Sequence, residues 1–438
     1  MDSLGHATFR WFWDLADPST GLIPDRAPSE SFASVAATGF GLTAYPIGAE
    51  RGWITREQAA RRVLHTLRFL WTAPQGPQPA GVIGHKGFFY HFLHLDTGAR
   101  FETVELSTVD TALLLAGAFF CQSYFDGSSA QEDSIRALTD SLYARVDWRW
   151  ASPRAPLIGH GWDPERGHLP YDWRGYNEGL LVYLFALGSP THAVAPAAWA
   201  EWEAGYRWGE FEGYGYFGFG PLFGHQFPLV WLDLRGVQDR LTAERGLDYF
   251  ENARRATLAQ YSYARRNPSG FRGYGPELWG LSACDGPVHG EFEIDGETRR
   301  FETYWARGAC FTEVNDDGTV APYAAGSSWP LLPEVVGPTL MAMARIHGEH
   351  LWHEYGFLDA LNPTFTVDAP VQHGRVVPGR GWYDTDALGI DQGPLLAMLE
   401  NHRSELVWRV MRRNPHVVRG LRAAGFRGGW LGDGSDAP

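Results

Sequence analysis

Two carboxyl-bearing passages have residue types suited to acid–base chemistry. In WDPERGHLPYDWRGYNEGLLVYLFALGS (162–189) a polar, aromatic loop runs into an apolar stretch, and Glu178 stands at the join behind Trp173, Tyr176 and Asn177. A carboxylate there can simply answer the helix dipole. It can also act as a general acid at a cavity mouth, with its pKa set by aromatic walls. LGIDQGPLLAMLENH (388–402) repeats the design, with Asp391 and Gln392 ahead of Gly393-Pro394 and an apolar run. Asp391 reads as an N-cap with Pro394 in the first turn, or as an exposed carboxylate able to activate a water.

Three further passages carry polar groups in the same kind of setting. FETVELSTVDTALLLAG (101–117) groups Glu102, Glu105 and Asp110 at the entrance to a very apolar helix. Asp110 lies inside that helix and would cost several kcal/mol if buried alone, so it requires a salt-bridge partner or a ligand. PLFGHQFPLVWLDLRG (221–236) offers His225 and Gln226 beside aromatic rings. GYGPELWGLSACDGP (273–287) puts Tyr274, Trp279 and Asp285 in a glycine-rich loop suited to a sugar platform. NDDGT (315–319) lacks the alternating ligands and terminal Glu of a calcium loop and reads as a turn.

The elements that must hold these residues are helical almost throughout. TREQAARRVLHTLRFLWTAP (55–74) sets Ala59, Val63, Leu67 and Leu70 on one face, with Thr55 and Gln58 at capping-box spacing. The 107–125 stretch is apolar nearly all round, as a buried helix is, and 131–147 follows as its amphipathic partner. Periodicity predicts further helices over 3–16, 32–47, 176–187, 195–206, 222–241, 244–266, 329–347, 387–402 and 404–413, about a dozen in all. The best strand signal is EFEIDGETRRF (291–301), where Asp295-Gly296 can turn a hairpin. No linker, charge block or short repeat marks a boundary, so the expectation is one domain over 1–438. Helix pairs closing into a toroid, with loops converging on one end of a cavity, are expected over an open solenoid.

Composition narrows the ligand. The 438 residues carry a net charge of −14, which disfavours nucleic acid and anionic membranes as partners. No apolar run is long enough for a transmembrane helix. The N-terminus does not read as a secretory signal, and a cytoplasmic location is expected of the sequence as given, or a periplasmic or secreted one if a leader was removed. Cys121, Cys284 and Cys310 are too scattered for a disulfide framework or a zinc cluster and read as buried thiols. Aromatic residues reach 14%, either to fill a large core or to stack on sugar faces. Walker, dinucleotide, H-E-x-x-H and G-x-S-x-G motifs are missing, and neither a cofactor nor a metal is expected. What remains is a helical cavity lined by carboxyls and rings, the equipment of a glycosidase.

These same passages resemble the bacterial glucoamylase-like domain proteins, among them the endo-β-1,2-glucanases of glycoside hydrolase family 144 and the related domain of cyclic β-1,2-glucan synthases. The matching stretches are SVAATGFGLTAY (34–45), GFFYHFL (87–93), ELSTVDTALLLAGA (105–118), GYNEGLLVYLFALGSPTH (175–192), GPLFGHQF (220–227), DYFENARRATLAQ (248–260), GYGPELWGLSACDGP (273–287), DDGTVAPYAA (316–325) and LGIDQGPLLAMLEN (388–401). They follow one another over nearly the whole chain. The resemblance implies an (α/α)6 barrel with a few short hairpins, and endo-acting hydrolysis of β-1,2-glucan with inversion. It implies a general acid at Glu178, a general base at Asp391, and proton passage through substrate hydroxyls or waters. Around them it places Glu102, Glu105, Asp110, His225, Gln226 and Asp285 in the cleft.

Transglycosylation, exo action on β-glucosides, and glucan binding without catalysis are the competing functions. The chain departs from the family at Phe227-Pro228-Leu229, after the GHQ segment, and at Cys284, where a small hydroxyl residue is common. Both departures bear on linkage and chain-length preference.

Overall fold

A computed structural model describes residues 1–432. Its helices are α1 (Asp2–Leu15), α2 (Val35–Glu50), α3 (Arg56–Thr72), α4 (Thr108–Tyr124), α5 (Ala130–Arg145), α6 (Leu180–Leu187), α7 (Ala197–Glu203) and α8 (Phe223–Trp231). They continue as α9 (Arg240–Glu244), α10 (Tyr249–Arg266), α11 (Pro322–Gly326), α12 (Pro333–Leu351), α13 (Gly389–Ser404), α14 (Leu406–Met411) and α15 (Pro415–Ala423). Side-chain caps start many of them. Ser34 accepts from the Ala37 N–H, Ser107 from Asp110, and Thr55 and Gln58 form the expected capping box.

Burial separates two kinds of helix. Nearly every residue of α2, α4, α6 and α13 is buried, so these helices are the interior. Amphipathic α3 buries Ala59, Val63, Leu67 and Leu70 against that interior and turns its charged face outward. The backbones of α2 and α4 come close enough that a Cβ on Gly117 would lie 2.0 Å from the Gly39 carbonyl oxygen, so any larger residue would force the pair apart. One hydrophobic cluster runs through the molecule from Leu4 to Leu431.

The beginnings of six helices are joined to one another in sequence. Ser34, which caps α2, pairs with Phe92, and the His91 N–H donates to the Glu105 carbonyl ahead of α4. The Trp173 indole N–H, ahead of α6, donates to Thr108 Oγ1 at the start of α4. Tyr176 then meets His225 of α8, whose neighbour Gln226 donates to the Ala324 carbonyl of α11. The Val320 N–H, ahead of α11, donates to the Leu361 carbonyl, and the nearby Asp359 N–H donates to the Asp386 carbonyl ahead of α13. Arg26 pairs with Leu388, and the Gly389 N–H of α13 donates to the Asp25 carbonyl, which leads back toward α2.

Strands are more numerous than the sequence suggests, but each has only two to five residues and belongs to these connecting loops. The hairpin at 290–301 forms as expected. Ile294 pairs with Glu297, and both turn residues, Asp295 and Gly296, have positive φ.

Helix ends differ in places. The expected 222–241 helix stops at Trp231, because Asp233 is buried and bonded to Arg235 and Arg412 (Nε to Oδ2, 2.7 Å), which draws the chain out of the helix. Asp391 does not cap its helix; Leu388 holds that position and Asp391 lies inside the first turn. The Pro415–Ala423 helix, capped by Asn414, is additional. NDDGT is more than a turn, since Asp316 and Asp317 face inward and anchor Tyr274 and Arg307. All three cysteines are free and buried. Among the described residues no helix is long and apolar enough to cross a membrane.

Candidate active site

Glu178 lies in the turn just ahead of α6, where its carbonyl accepts from the Leu181 N–H. Its Oε2 is buried with no hydrogen-bond partner. Burial, reinforced by the nearby Asp110 charge, pushes its pKa up to about 7 against the opposing backbone bond. A carboxyl in that condition holds its proton near neutrality, as a general acid must.

Around it the sequence candidates form two supporting networks. In the first, His91 Nδ1 is 2.9 Å from Glu105 Oε1, and its Nε2 is 3.7 Å from Asp110 Oδ1. Burial opposes charge on His91, but Asp110 and the bonded Glu105 outweigh it and raise the pKa to about 9. Burial would raise Glu105, yet its bond to the imidazolium holds it below the usual range. Burial raises Asp110, whose other oxygen takes the Ser107 hydroxyl.

In the second network His225 Nε2 is 3.0 Å from the Phe219 carbonyl and must therefore carry the proton. Nδ1 is then the acceptor for the Tyr176 hydroxyl at 3.1 Å. Burial lowers the His225 pKa to about 4, so this imidazole is neutral and structural at working pH. Tyr176 and Asn177 line a cavity of about 580 Å3 together with Arg174, Tyr206, Phe219 and Glu313. Trp173 is stacked face to face on His160 at 3.8 Å.

Asp391 is 3% exposed and its buried Oδ2 has no donor. Burial raises its pKa, as do the charges of Asp25 and Asp285, while the adjoining Asp359 side chain opposes the rise. Asp285 accepts from Arg26 Nη1 at 2.6 Å, and its own N–H donates to Asp359 Oδ2 at 2.7 Å. Carboxylate oxygens of Asp285, Asp359 and Asp384 all lie within 4.8 Å of one another. The buried pair Arg307–Asp317 holds this loop in place, with Arg307 Nη1 donating to the Cys284 carbonyl.

Some sequence candidates serve the scaffold. Trp279 is buried at 1% exposure with its indole N–H given to Thr339, so it has no face to offer a sugar. The Tyr274 hydroxyl is given to Asp316. The Gln226 and Gln392 amides bond backbone carbonyls of Ala324 and Phe357, each leaving a buried, unpartnered Oε1. Glu102 is exposed in a turn with φ 45°. Sequence reasoning missed His91, Asp25, Arg26, Asp359 and Asp384. Charged residues inside otherwise apolar stretches such as FLDAL and YDTDALGI were the available signal.

A mostly helical scaffold whose loops and helix starts carry carboxyl oxygens buried without partners suits a carbohydrate-active hydrolase. The chain belongs to the Glycoamylase family, described as "Putative glucoamylase", whose model matches residues 170–415. It is 28% identical over 459 residues to an exo β-1,2-glucooligosaccharide sophorohydrolase (non-reducing end) of Parabacteroides distasonis. That match covers 96% of this chain but only 57% of the relative's length. An endo-β-1,2-glucanase from Chitinophaga pinensis, solved with sophorotriose and glucose, superposes with TM-score 0.82 at 27% identity, covering 97% of each chain. The endo-β-1,2-glucanase of Talaromyces funiculosus shares the fold at 12% identity, with TM-score 0.62 over 97% of this chain and 88% of that one.

Proposed function

We propose that this chain is an endo-acting β-1,2-glucan hydrolase that inverts the anomeric carbon, with its described residues folded as one catalytic (α/α)6 barrel. The unbroken series of hydrogen bonds between the starts of α2, α4, α6, α8, α11 and α13 supports a closed ring of inner helices. Glu178 gives its proton to the departing glycosidic oxygen. Asp391, ionised, takes a proton from the water that attacks the opposite face of the sugar. Tyr176, Asn177, His225, Asp110 and Asp285 shape the surroundings of the two carboxyls.

The observation that carries this reading is the pair of carboxyls with buried, unpartnered oxygens, Glu178 and Asp391, in a chain that matches the Chitinophaga pinensis endo-β-1,2-glucanase over 97% of both chains. The sophorohydrolase relative favours a second reading, in which sophorose is released from the non-reducing end. Linear β-1,2-glucan digested by the purified protein, with products resolved by size over time, separates the two. Intermediate-length oligosaccharides appearing early support endo cleavage. Sophorose alone from the first time point supports the exo reading. No cleavage of β-1,2-glucan would sink both.

A further inference from the structure

Asp359 lies next to Asp391, and the proposed chemistry gives it no part. Its backbone N–H donates to the Asp386 carbonyl at 2.9 Å, and its Oδ2 accepts from the Asp285 N–H at 2.7 Å, so backbone and side chain are each held by one bond. Its Oδ1 is buried without a donor, as is Asp391 Oδ2, and the two side chains are within hydrogen-bonding reach. Two carboxylate oxygens cannot satisfy each other unless one carries a proton.

The surroundings require such a proton. Asp25, Asp285, Asp384 and Asp386 crowd the same site; Arg26 is 2.6 Å from Asp285, 3.5 Å from Asp25 and 3.9 Å from Asp386, the His91 imidazolium acts on Asp25, and Arg307 is spent on Asp317. Asp384 accepts the Thr385 and Asp386 N–H groups on Oδ1 and leaves Oδ2 unpartnered. The charges of the pair also reach the exposed Tyr304, the Tyr323 hydroxyl, which is given to Ser282 and the Ala283 carbonyl, and the Cys284 thiol, which burial holds in its neutral form. Like charges this close in a buried site cannot all ionise. Burial and the Asp391 charge raise Asp359 against the opposing Asp285 N–H, and since the base must be ionised to take a proton from water, the shared proton falls to Asp359.

We propose that Asp359 is a positioning residue for the base: it stays protonated through turnover and donates from Oδ1 to Asp391 Oδ2, which fixes that carboxylate and leaves its Oδ1 for the water. The proposal rests on Asp391 being the base. No bond to substrate and no net proton transfer by Asp359 is involved.

The test compares Asp359→Asn, which keeps a donor, with Asp359→Ala, which does not, and uses Asp391→Asn as control. Folding is followed by circular dichroism. Asp359→Asn is expected to hold kcat within about tenfold of wild type and to leave the acidic limb of the pH profile where it is, because one neutral donor replaces another. Asp359→Ala is expected to lose about 100-fold in kcat with little change in KM, and to move that limb upward by about one unit. If Asp359→Ala does not fold, the limb in Asp359→Asn decides the matter alone: an unmoved limb supports a protonated Asp359, and a downward shift would show that a negative charge had been removed and overturn it.

Asp359→Asn as inactive as Asp359→Ala would overturn the proposal, since a negative charge rather than a donor would then be required. Loss of wild-type activity in EDTA with recovery in Ca2+ would overturn it too, because a cation would then fill the place of the proton. Wild-type behaviour of both Asp359 variants beside a dead Asp391→Asn would refute the role of Asp359 alone. A fully active Asp391→Asn would refute the base assignment and this proposal together.

Discussion

The indole N–H of Trp173 donates to Thr108 Oγ1 at 2.9 Å and binds the loop that carries Glu178 to the first turn of the helix that carries Asp110. The two acids are 68 positions apart in sequence, yet the charge of one raises the pKa of the other. This contact turns a flexible approach to α6 into a fixed mount for a protonated carboxyl.

If Glu178 and Asp391 divide the acid and base work, Glu178→Gln and Asp391→Asn should each lower kcat on β-1,2-glucan by about 10²–10⁴-fold while leaving the circular dichroism spectrum unchanged. Near-normal turnover in both would end the assignment.

The alkaline limb of the rate profile should follow Glu178. With its pKa at about 7, activity on glucan should fall as pH rises through that value, because the acid loses its proton. An aryl β-glucoside whose leaving group departs without protonation should show little of this limb, and should be cleaved by Glu178→Gln far better than glucan is. Parallel profiles for the two substrates would contradict this.

His91 should contribute stability in a defined pH window. Its folded pKa of about 9 lies above its ordinary 6.5, so the contribution is complete below 6.5 and disappears as pH rises through 9. Melting temperatures of wild type and His91→Gln should therefore differ most near pH 6 and converge near pH 10. A pH-independent difference would mean that packing on Phe92, not charge, is what His91 supplies.

Arg307 and Asp317 are 0% and 2% exposed and joined at 2.7 Å, and Arg307 also gathers carbonyls of Cys284, Glu302 and Thr303. Arg307→Ala leaves a buried carboxylate unpaired and should cost about 3–5 kcal/mol of stability in chemical denaturation. The loop bearing Asp285 should loosen with it. A loss below about 1 kcal/mol would show that water reaches Asp317.

The sequence by itself determined the local order. Capping residues such as Ser34, Thr55 and Ser107 and the period of apolar residues determine where most helices start and which face is buried, because both depend on groups a few residues apart. Glu178, Asp391 and Asp110 were legible for a related reason: a carboxyl at the edge of an apolar run is costly unless something uses it. Tertiary structure decided the company these residues keep. His91 with Asp110, Arg26 with Asp285, and Asp359 with Asp391 meet across 19, 259 and 32 positions, through strands of two or three residues too short to leave a periodic signal. Trp279 shows the converse. Its loop composition suits a sugar platform, but packing closes over the ring and spends its N–H on Thr339. Burial and the summed field of distant carboxyls set the protonation of a site, and both arise only once the chain has brought remote segments together.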